Sequence, residues 1–433
     1  MQNQISAANG GIGIINFLKN KSLFITGSTG FVAKVFVEKL LREVPDVKKI
    51  YLLIRAKTAE EAQQRLQSEI VDCEAFKRLK GEHGERYEYF MRSKLVAVAG
   101  NLCDPRLGMD EEQACLMADQ IDVIVNSAGN TKWHDRYDVL LDVNARGLSR
   151  LIDYAMNWKK LILFLHVSTA FVSRESQGLV LEKPVAVGME ETATEKQSLN
   201  LKAIDIEAEL KMVTALASSP SIPKDKMMTE MSKLSLTRAK FHGYHNAYQL
   251  TKAMGEMLLT KLSDRLSTVI IRPAFIEGSY RDPFHGWIEG YRGMDPMILF
   301  HGKGHLQGIW AEPTTILDVV PVDMVANAMI TATAYHGILG KNGLHIYHVA
   351  SSVVNPLRCK NMFNYSYNYF TKHPLINSRN EAIIVKDMEF HTSMDEYIMV
   401  GLDDVHSNDK LLRNLVRMAI IYGPAMFGKL IRF

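Results

Sequence analysis

Between Leu23 and Leu41 the chain reads Leu-Phe-Ile-Thr-Gly-Ser-Thr-Gly-Phe-Val-Ala-Lys-Val-Phe-Val-Glu-Lys-Leu-Leu, and no other stretch limits the possible folds so tightly. Residues 21–28 form a short apolar strand that runs straight into a glycine turn, and residues 31–42 continue with apolar positions at helical spacing. In Gly27-Ser28-Thr29-Gly30-Phe31-Val32-Ala33 the glycines suit a sharp turn whose backbone N–H groups must approach a pyrophosphate closely. The N-terminus of the following helix adds its positive end. Ala33 stands where a third glycine is usual, a position that tests only helix–strand packing. A lone GxxGxxA is common; its strand–turn–helix setting makes it a candidate dinucleotide loop.

Further apolar runs at 50–54, 95–98, 123–125, 161–167 and 268–271 alternate with helical or polar stretches. Strands apolar on both faces, separated by helices, predict an α/β fold with a doubly wound parallel sheet of Rossmann type. Residues 1–20 read as a loose lead-in and 21–353 as the nucleotide-binding domain. Within it, 175–241 is a charged, Met-rich insertion of helices and loop. Residues 354–433 are expected to form a smaller, mostly helical C-terminal domain.

Composition removes several classes. A formal charge of +3 on 433 residues gives no footing for a nucleic-acid partner. The four cysteines, Cys73, Cys103, Cys115 and Cys359, are scattered without metal-ligand spacing, so they read as reduced thiols and no metal is expected. No apolar run reaches membrane-spanning length, and the first twenty residues resemble neither a secretory signal nor a transit peptide. The chain is therefore expected inside the cell, in the cytoplasm or peripheral on the endoplasmic reticulum. Residues 411–433 carry Arg413, Arg417, Lys429 and Arg432, no acid, and apolar residues at helical spacing. That pattern suits peripheral contact with a lipid surface.

Three further elements carry chemistry. Arg55 ends the second strand, where an NAD enzyme would place an acid for the ribose 2′-hydroxyl. A basic residue there pairs with the 2′-phosphate of NADP(H), with Lys57 nearby. Tyr248 and Lys252 lie at i, i+4 on one helix face, so the ammonium is expected to stabilise the phenolate and lower the tyrosine pKa toward the working range of a general acid. With 16 tyrosines about one chance Tyr-x-x-x-Lys is expected, but this match is the single one in the chain. It also follows a strand that ends in Ser168-Thr169, whose hydroxyls can hold a carbonyl oxygen beside the tyrosine. Asn126-Ser127-Ala128-Gly129 ends another strand, where small residues let a backbone pass the cofactor.

Glycine loop, strand-end Arg, Asn-Ser-Ala-Gly, Ser-Thr-Ala and Tyr-x-x-x-Lys, in this order, resemble the extended short-chain dehydrogenases/reductases. The blocks WHDRYDVLLDVNARG, HVSTAFV, YQLTKAMGEMLL, IIRPAFIEGSYRDPFHGWIEG and VVPVDMVANAM narrow the resemblance to the plant-type alcohol-forming fatty acyl-CoA reductases, the male-sterility-type proteins. The resemblance runs from about residue 17 to the C-terminus. It implies reduction of a long-chain acyl-CoA to a primary fatty alcohol with two NADPH, through an aldehyde, as in wax biosynthesis.

Residue by residue, the resemblance implies that Gly27, Thr29, Gly30 and Phe31 form the dinucleotide loop and that Arg55 selects NADPH. Asn126 and Ala128 line the cofactor, and Pro273, after Arg272, backs the nicotinamide. Thr169 falls on the catalytic hydroxyl position, with Ser168 as the fallback. Tyr248 is the proton donor, Lys252 binds the ribose, and Asn144 supports the lysine. Arg174 stands where the family has a glycine, Tyr244-His245 stand where it has Trp-Pro, and the family's second domain runs on for tens of residues beyond the length seen here. A neighbouring reductase of an aldehyde, sterol or flavonoid ketone would share the first six strands. An NADPH-binding sensor would typically lack the tyrosine or the lysine. Chain-length preference and oligomeric state leave no mark in the sequence.

Overall fold

Seven strands form one sheet: β1 (Ser22–Thr26), β2 (Lys49–Ile54), β3 (Leu95–Ala99), β4 (Val123–Asn126), β5 (Leu163–Val167), β6 (Ser267–Pro273) and β7 (Gly343–Val349). Their spatial order is β7-β6-β5-β4-β1-β2-β3, and every pairing is parallel. The order reverses at β1, between β2 and β4, and open α/β sheets bind ligands in the crevice beyond the carboxyl ends of the strands at such a reversal. The computed structural model describes residues 13–133, 135–174, 178–185, 203–219 and 223–391. The basic segment 411–433 lies outside them. Among the described residues no helix is long and apolar enough to cross a membrane.

The strands are apolar at consecutive positions because each feeds two cores. Leu23 and Ile25 of β1, Val123 and Val125 of β4 and Leu163 and Leu165 of β5 face one core, lined by helices α1 (Phe31–Glu43) and α7 (Val322–Leu339). Phe24, Ile124 and Phe164 face the other, lined by α3 (Gly147–Ala155) and α6 (Ala247–Ser263). This two-residue alternation between covered faces is what a doubly wound sheet requires. Six strands fall on the apolar runs expected from the sequence. The seventh, β7, escapes that reading because it is an edge strand: only Ile346 is buried, and histidines and a tyrosine interrupt its apolar residues.

The insertion contributes α4 (Ile206–Ala217) and α5 (Lys224–Phe241). Buried Glu209 of α4 ties it down, accepting from the Tyr137 hydroxyl at 2.8 Å, Arg238 Nε at 3.0 Å and His242 Nε2 at 2.8 Å. These donors outweigh the burial cost and hold the Glu209 carboxyl at about 2. Residues 357–391 do not pack by themselves. Cys359, Met362 and Phe363 of α8 (Cys359–Lys372) share a core with Met294, Ile309, Ala311 and Leu317, and Glu389–His391 pairs with Gly308–Trp310. The small lobe thus draws on chain from both sides of residue 354.

Candidate active site

Helix α6 begins where Asn246 accepts the N–H of Gln249 at 3.0 Å, an ordinary N-cap. From Leu250 to Glu256 every residue is buried, so this stretch has no solvent face. Its two ionisable groups, Lys252 and Glu256, therefore need partners inside the protein. Glu256 takes the Arg272 guanidinium of β6 at 2.6 Å. Lys252 Nζ donates to the Val167 carbonyl at 2.7 Å and lies 3.3 Å from His166 Nε2. Burial lowers Lys252 to about 8, against the pull of Glu256.

Tyr248, half-buried one turn before Lys252, departs from the sequence expectation. Burial pushes its hydroxyl up to about 12, only partly offset by the neighbouring Thr169 hydroxyl. The lysine does not lower it; its Nζ lies instead against the Val167 carbonyl and His166 at the end of β5. Thr169 is thus the hydroxyl beside Tyr248, and it also accepts the N–H of Phe171 at 3.3 Å. The Ser168 hydroxyl is buried and has no partner among the described residues.

Asn144 sits in a π-helical turn (Asp142–Arg146) between two α-helical stretches, an irregularity that often marks functional sites. It accepts the N–H of Asn130 at 2.9 Å and donates to the Asn130 carbonyl and to Thr251 Oγ1, each at 3.1 Å. A Cβ on Gly129 would lie 3.4 Å from Asn144 Oδ1 and 3.8 Å from Lys252 Nζ, so these groups share one corner. Gly255 makes the approach possible, since a Cβ there would come within 2.8 Å of the Asn144 carbonyl oxygen.

At the glycine turn, Gly27 has φ 65°, and a Cβ on it would sit 2.6 Å from the Ala128 nitrogen. The turn is held directly against the Ser127-Ala128 backbone, leaving room that only glycine keeps open. Gly30 caps α1 without a side-chain hydrogen bond, and no acid occupies the first helical turn. The positive end of α1 therefore suits the diphosphate of a dinucleotide. The Thr29 hydroxyl meets Glu69.

Asn126 and Phe31 differ from expectation. Asn126 is buried and its amide is engaged by Thr26 and His166, so its side chain shapes the strand end from behind. The Phe31 ring is also buried, stacked on Trp287 with centroids 5.1 Å apart, which leaves only its backbone toward a ligand. Arg55 is exposed at the end of β2. Its carbonyl accepts from Arg65 Nη1 at 2.5 Å, so Arg65 of α2 (Ala59–Leu66) joins it at the strand end. Pro273 ends β6 in register with Val349.

Residues 278–294 cross over α1. Trp287 stacks on Phe31, the Arg292 guanidinium lies 4.7 Å from the Phe31 ring centroid, and Glu289 pairs with buried Lys34. Asp282 adds Lys39 at 2.7 Å, Arg42 at 3.0 Å and Arg78 at 3.2 Å. The departures at Arg174 and Tyr244 lie near each other: burial pushes the Tyr244 hydroxyl up to about 12, partly offset by the Arg174 charge, and that hydroxyl has no hydrogen-bond partner among the described residues. Sequence reasoning missed Arg65, His166 and Glu256. Arg65 lay ten residues past Arg55, and the two others were polar residues inside otherwise apolar runs.

Comparison with known proteins fits this geometry. Residues 25–329 match the family model described as male sterility protein. The chain is 44% identical to fatty acyl-CoA reductase 2, chloroplastic, of Arabidopsis thaliana over 96% of its own length and 72% of the relative's. It is 39% identical to the alcohol-forming fatty acyl-CoA reductase of Simmondsia chinensis, covering 90% and 79%. Among solved structures, the reductase domain of a nonribosomal peptide synthetase from Mycobacterium tuberculosis superposes with a TM-score of 0.58 at 19% identity, covering 94% of this chain and 81% of that one. That likeness concerns the fold. None of these relatives supports the endoplasmic reticulum as a location. The chain uses a nicotinamide cofactor and belongs to the male sterility protein family, among the plant fatty acyl-CoA reductases.

Proposed function

We propose that the protein reduces a long-chain acyl-CoA to a primary alcohol, consuming two NADPH and passing through an aldehyde. The observation that carries this reading is the placing of Tyr248 beside the Thr169 hydroxyl, one helical turn from buried Lys252, at the carboxyl end of a dinucleotide-type sheet. The acyl-CoA comes from the names of the relatives. The preference for the 2′-phosphorylated cofactor rests on Arg55, exposed at the end of β2, with Arg65 beside it, donating to the Arg55 carbonyl and paired with Glu69.

A nicotinamide bound at the glycine turn supplies hydride. The remaining work falls to side chains. Thr169 holds the substrate carbonyl oxygen, and Tyr248 gives that oxygen a proton as negative charge develops on it. A tyrosine pushed up to about 12 stays protonated across the neutral range, the form a reduction needs. Lys252 keeps one N–H beyond those given to Val167 and His166, and that donor serves the ribose. Asn144 fixes Asn130 and Thr251 on either side of it. In the first round the thioester carbon gains hydride and its oxygen a proton. The hemithioacetal then loses CoA thiol, its hydroxyl proton ending on sulfur. In the second round the aldehyde gains hydride on carbon and a proton on oxygen.

The test is incubation of the purified chain with palmitoyl-CoA and NADPH, with product analysis by gas chromatography. Hexadecanol formed with two NADPH oxidised per alcohol is the expected result; oxidation with free aldehyde alone would overturn the acyl-CoA assignment. Peripheral membrane contact through 411–433 belongs to the same proposal. Liposome flotation at low and high salt, with and without that segment, tests it.

A further inference from the structure

Strand β5 brings His166 into the core, 2% exposed, directly against Lys252. Its other ring nitrogen, Nδ1, lies 2.9 Å from the Asn126 amide. Asn126 in turn hydrogen-bonds with the Thr26 hydroxyl, which accepts the N–H of Ala128 at 3.3 Å. Side chains from α6, β5, β4 and β1 thus form one buried line of hydrogen bonds, from the lysine to the strand that opens the glycine turn.

The line constrains its own protons. Burial, with the Lys252 charge beside it, holds His166 well below its ordinary range, so the ring is neutral and carries one N–H. When Lys252 is an ammonium, Nε2 must be the bare nitrogen, because two donors cannot face each other. Nδ1–H then points at Asn126, and the amide, whose NH2 faces Nδ1 and whose oxygen accepts from Thr26 in this structure, turns over to present its oxygen to the ring. When Lys252 is a free amine, the Asn126 orientation seen here is the fitting one: its NH2 donates to Nδ1 and Nε2–H donates to the amine. Each state leaves the imidazole satisfied on both sides.

We propose that His166 is a positioning residue for Lys252: its Nε2 accepts from the ammonium, holds Nζ against the Val167 carbonyl and keeps the lysine charged in a buried site. This rests on the reading of Tyr248 and Lys252 as the working pair. Few other charges face the lysine. Glu256, one turn along, is committed to Arg272 of β6, which His348 of β7 also meets at 3.2 Å. In the adjoining π-turn Asp142 and Arg146 pair with each other at 3.1 Å. Tyr248 is the remaining titratable neighbour on the helix.

His166→Leu removes both nitrogens at similar volume, whereas His166→Gln restores an amide oxygen near the place of Nε2. Two pH profiles are measured for each variant: kcat/KM with palmitoyl-CoA, and the NADPH dissociation constant from nicotinamide fluorescence, which needs no turnover. Loss of the acceptor disfavours the ammonium, so in His166→Leu the alkaline limb of both profiles moves down by about one pH unit. In His166→Gln it returns most of the way. Should His166→Leu fail to fold, Thr26→Val, at the far end of the line, moves the same limb in the same direction by less. Unmoved limbs in a folded His166→Leu protein, equal shifts in the Leu and Gln variants, or a flat wild-type binding profile would each overturn the proposal. Failure of the underlying reading looks different. Tyr248→Phe would then keep its turnover, while the NADPH-binding limb would still respond to His166.

Discussion

Arg272 grips Glu256 in the interior of the protein, with Nε at 3.0 and 3.2 Å from the two carboxylate oxygens, Nη2 at 2.6 Å, and side-chain exposures of 2% and 1%. The pair joins helix α6, which carries Tyr248 and Lys252, to β6, and the Arg272 Nη2 also donates to the Lys183 carbonyl at 2.8 Å.

Removing either partner strands a buried charge. Arg272→Met is expected to cost about 3–5 kcal/mol of stability, read as a lower midpoint in urea unfolding. The double variant Arg272→Met with Glu256→Gln should recover a large part of that loss, since no uncompensated charge then remains. If the double variant is no better than the single one, packing rather than charge pairing holds this contact.

Tyr248→Phe keeps the ring and removes the proton donor, so NADPH affinity should hold while turnover falls on the order of a hundredfold or more. Thr169→Ala should cost less, and Ser168→Ala less again, because Thr169 is the hydroxyl that meets Tyr248. A Ser168 variant worse than the Thr169 variant would move the carbonyl-holding role to Ser168.

The sign of the pH dependence follows from two groups. Tyr248, at about 12, stays protonated throughout the neutral range, whereas Lys252, at about 8, loses its charge as pH rises. Reductase kcat/KM should therefore be level at neutral pH and fall above about 8, with no acid limb from this pair. Steady-state rates across the alkaline range check it; activity that climbs through this region would exclude the ammonium as the working form.

Arg55→Ala and Arg65→Ala should each raise the NADPH Michaelis constant and leave NADH nearly unchanged. The double variant should narrow the preference further. Equal losses with both cofactors would mark the two arginines as structural.

The sheet was legible because its physics is local and periodic. Leu23-Phe24-Ile25 and Leu163-Phe164-Leu165 are apolar at successive positions, as strands covered on both faces must be. Gly27 announced the turn, and its contact with Ala128 shows why no larger residue fits. Strand β7 stayed hidden because an edge strand buries little. His166 and Asn126 were read by place along the chain, whereas their partners come from other strands 40 and more residues away. The expected lowering of the Tyr248 pKa failed for a related reason: spacing put a lysine nearby but did not show that burial would dominate the hydroxyl.

The chain that crosses α1 has a consequence for how the protein is assembled. Lys34 finds Glu289 across 255 residues, and Phe31 finds Trp287 across a similar span. The nucleotide-binding half is therefore not a detachable module. During synthesis the first five strands emerge with a bare aromatic ring beside the glycine turn and a cation without its carboxylate, and they wait for the second half to cover both. A fragment ending before residue 278 should expose sticky surface and bind cofactor poorly. In this fold the glycine turn is covered by chain made some 255 residues after it.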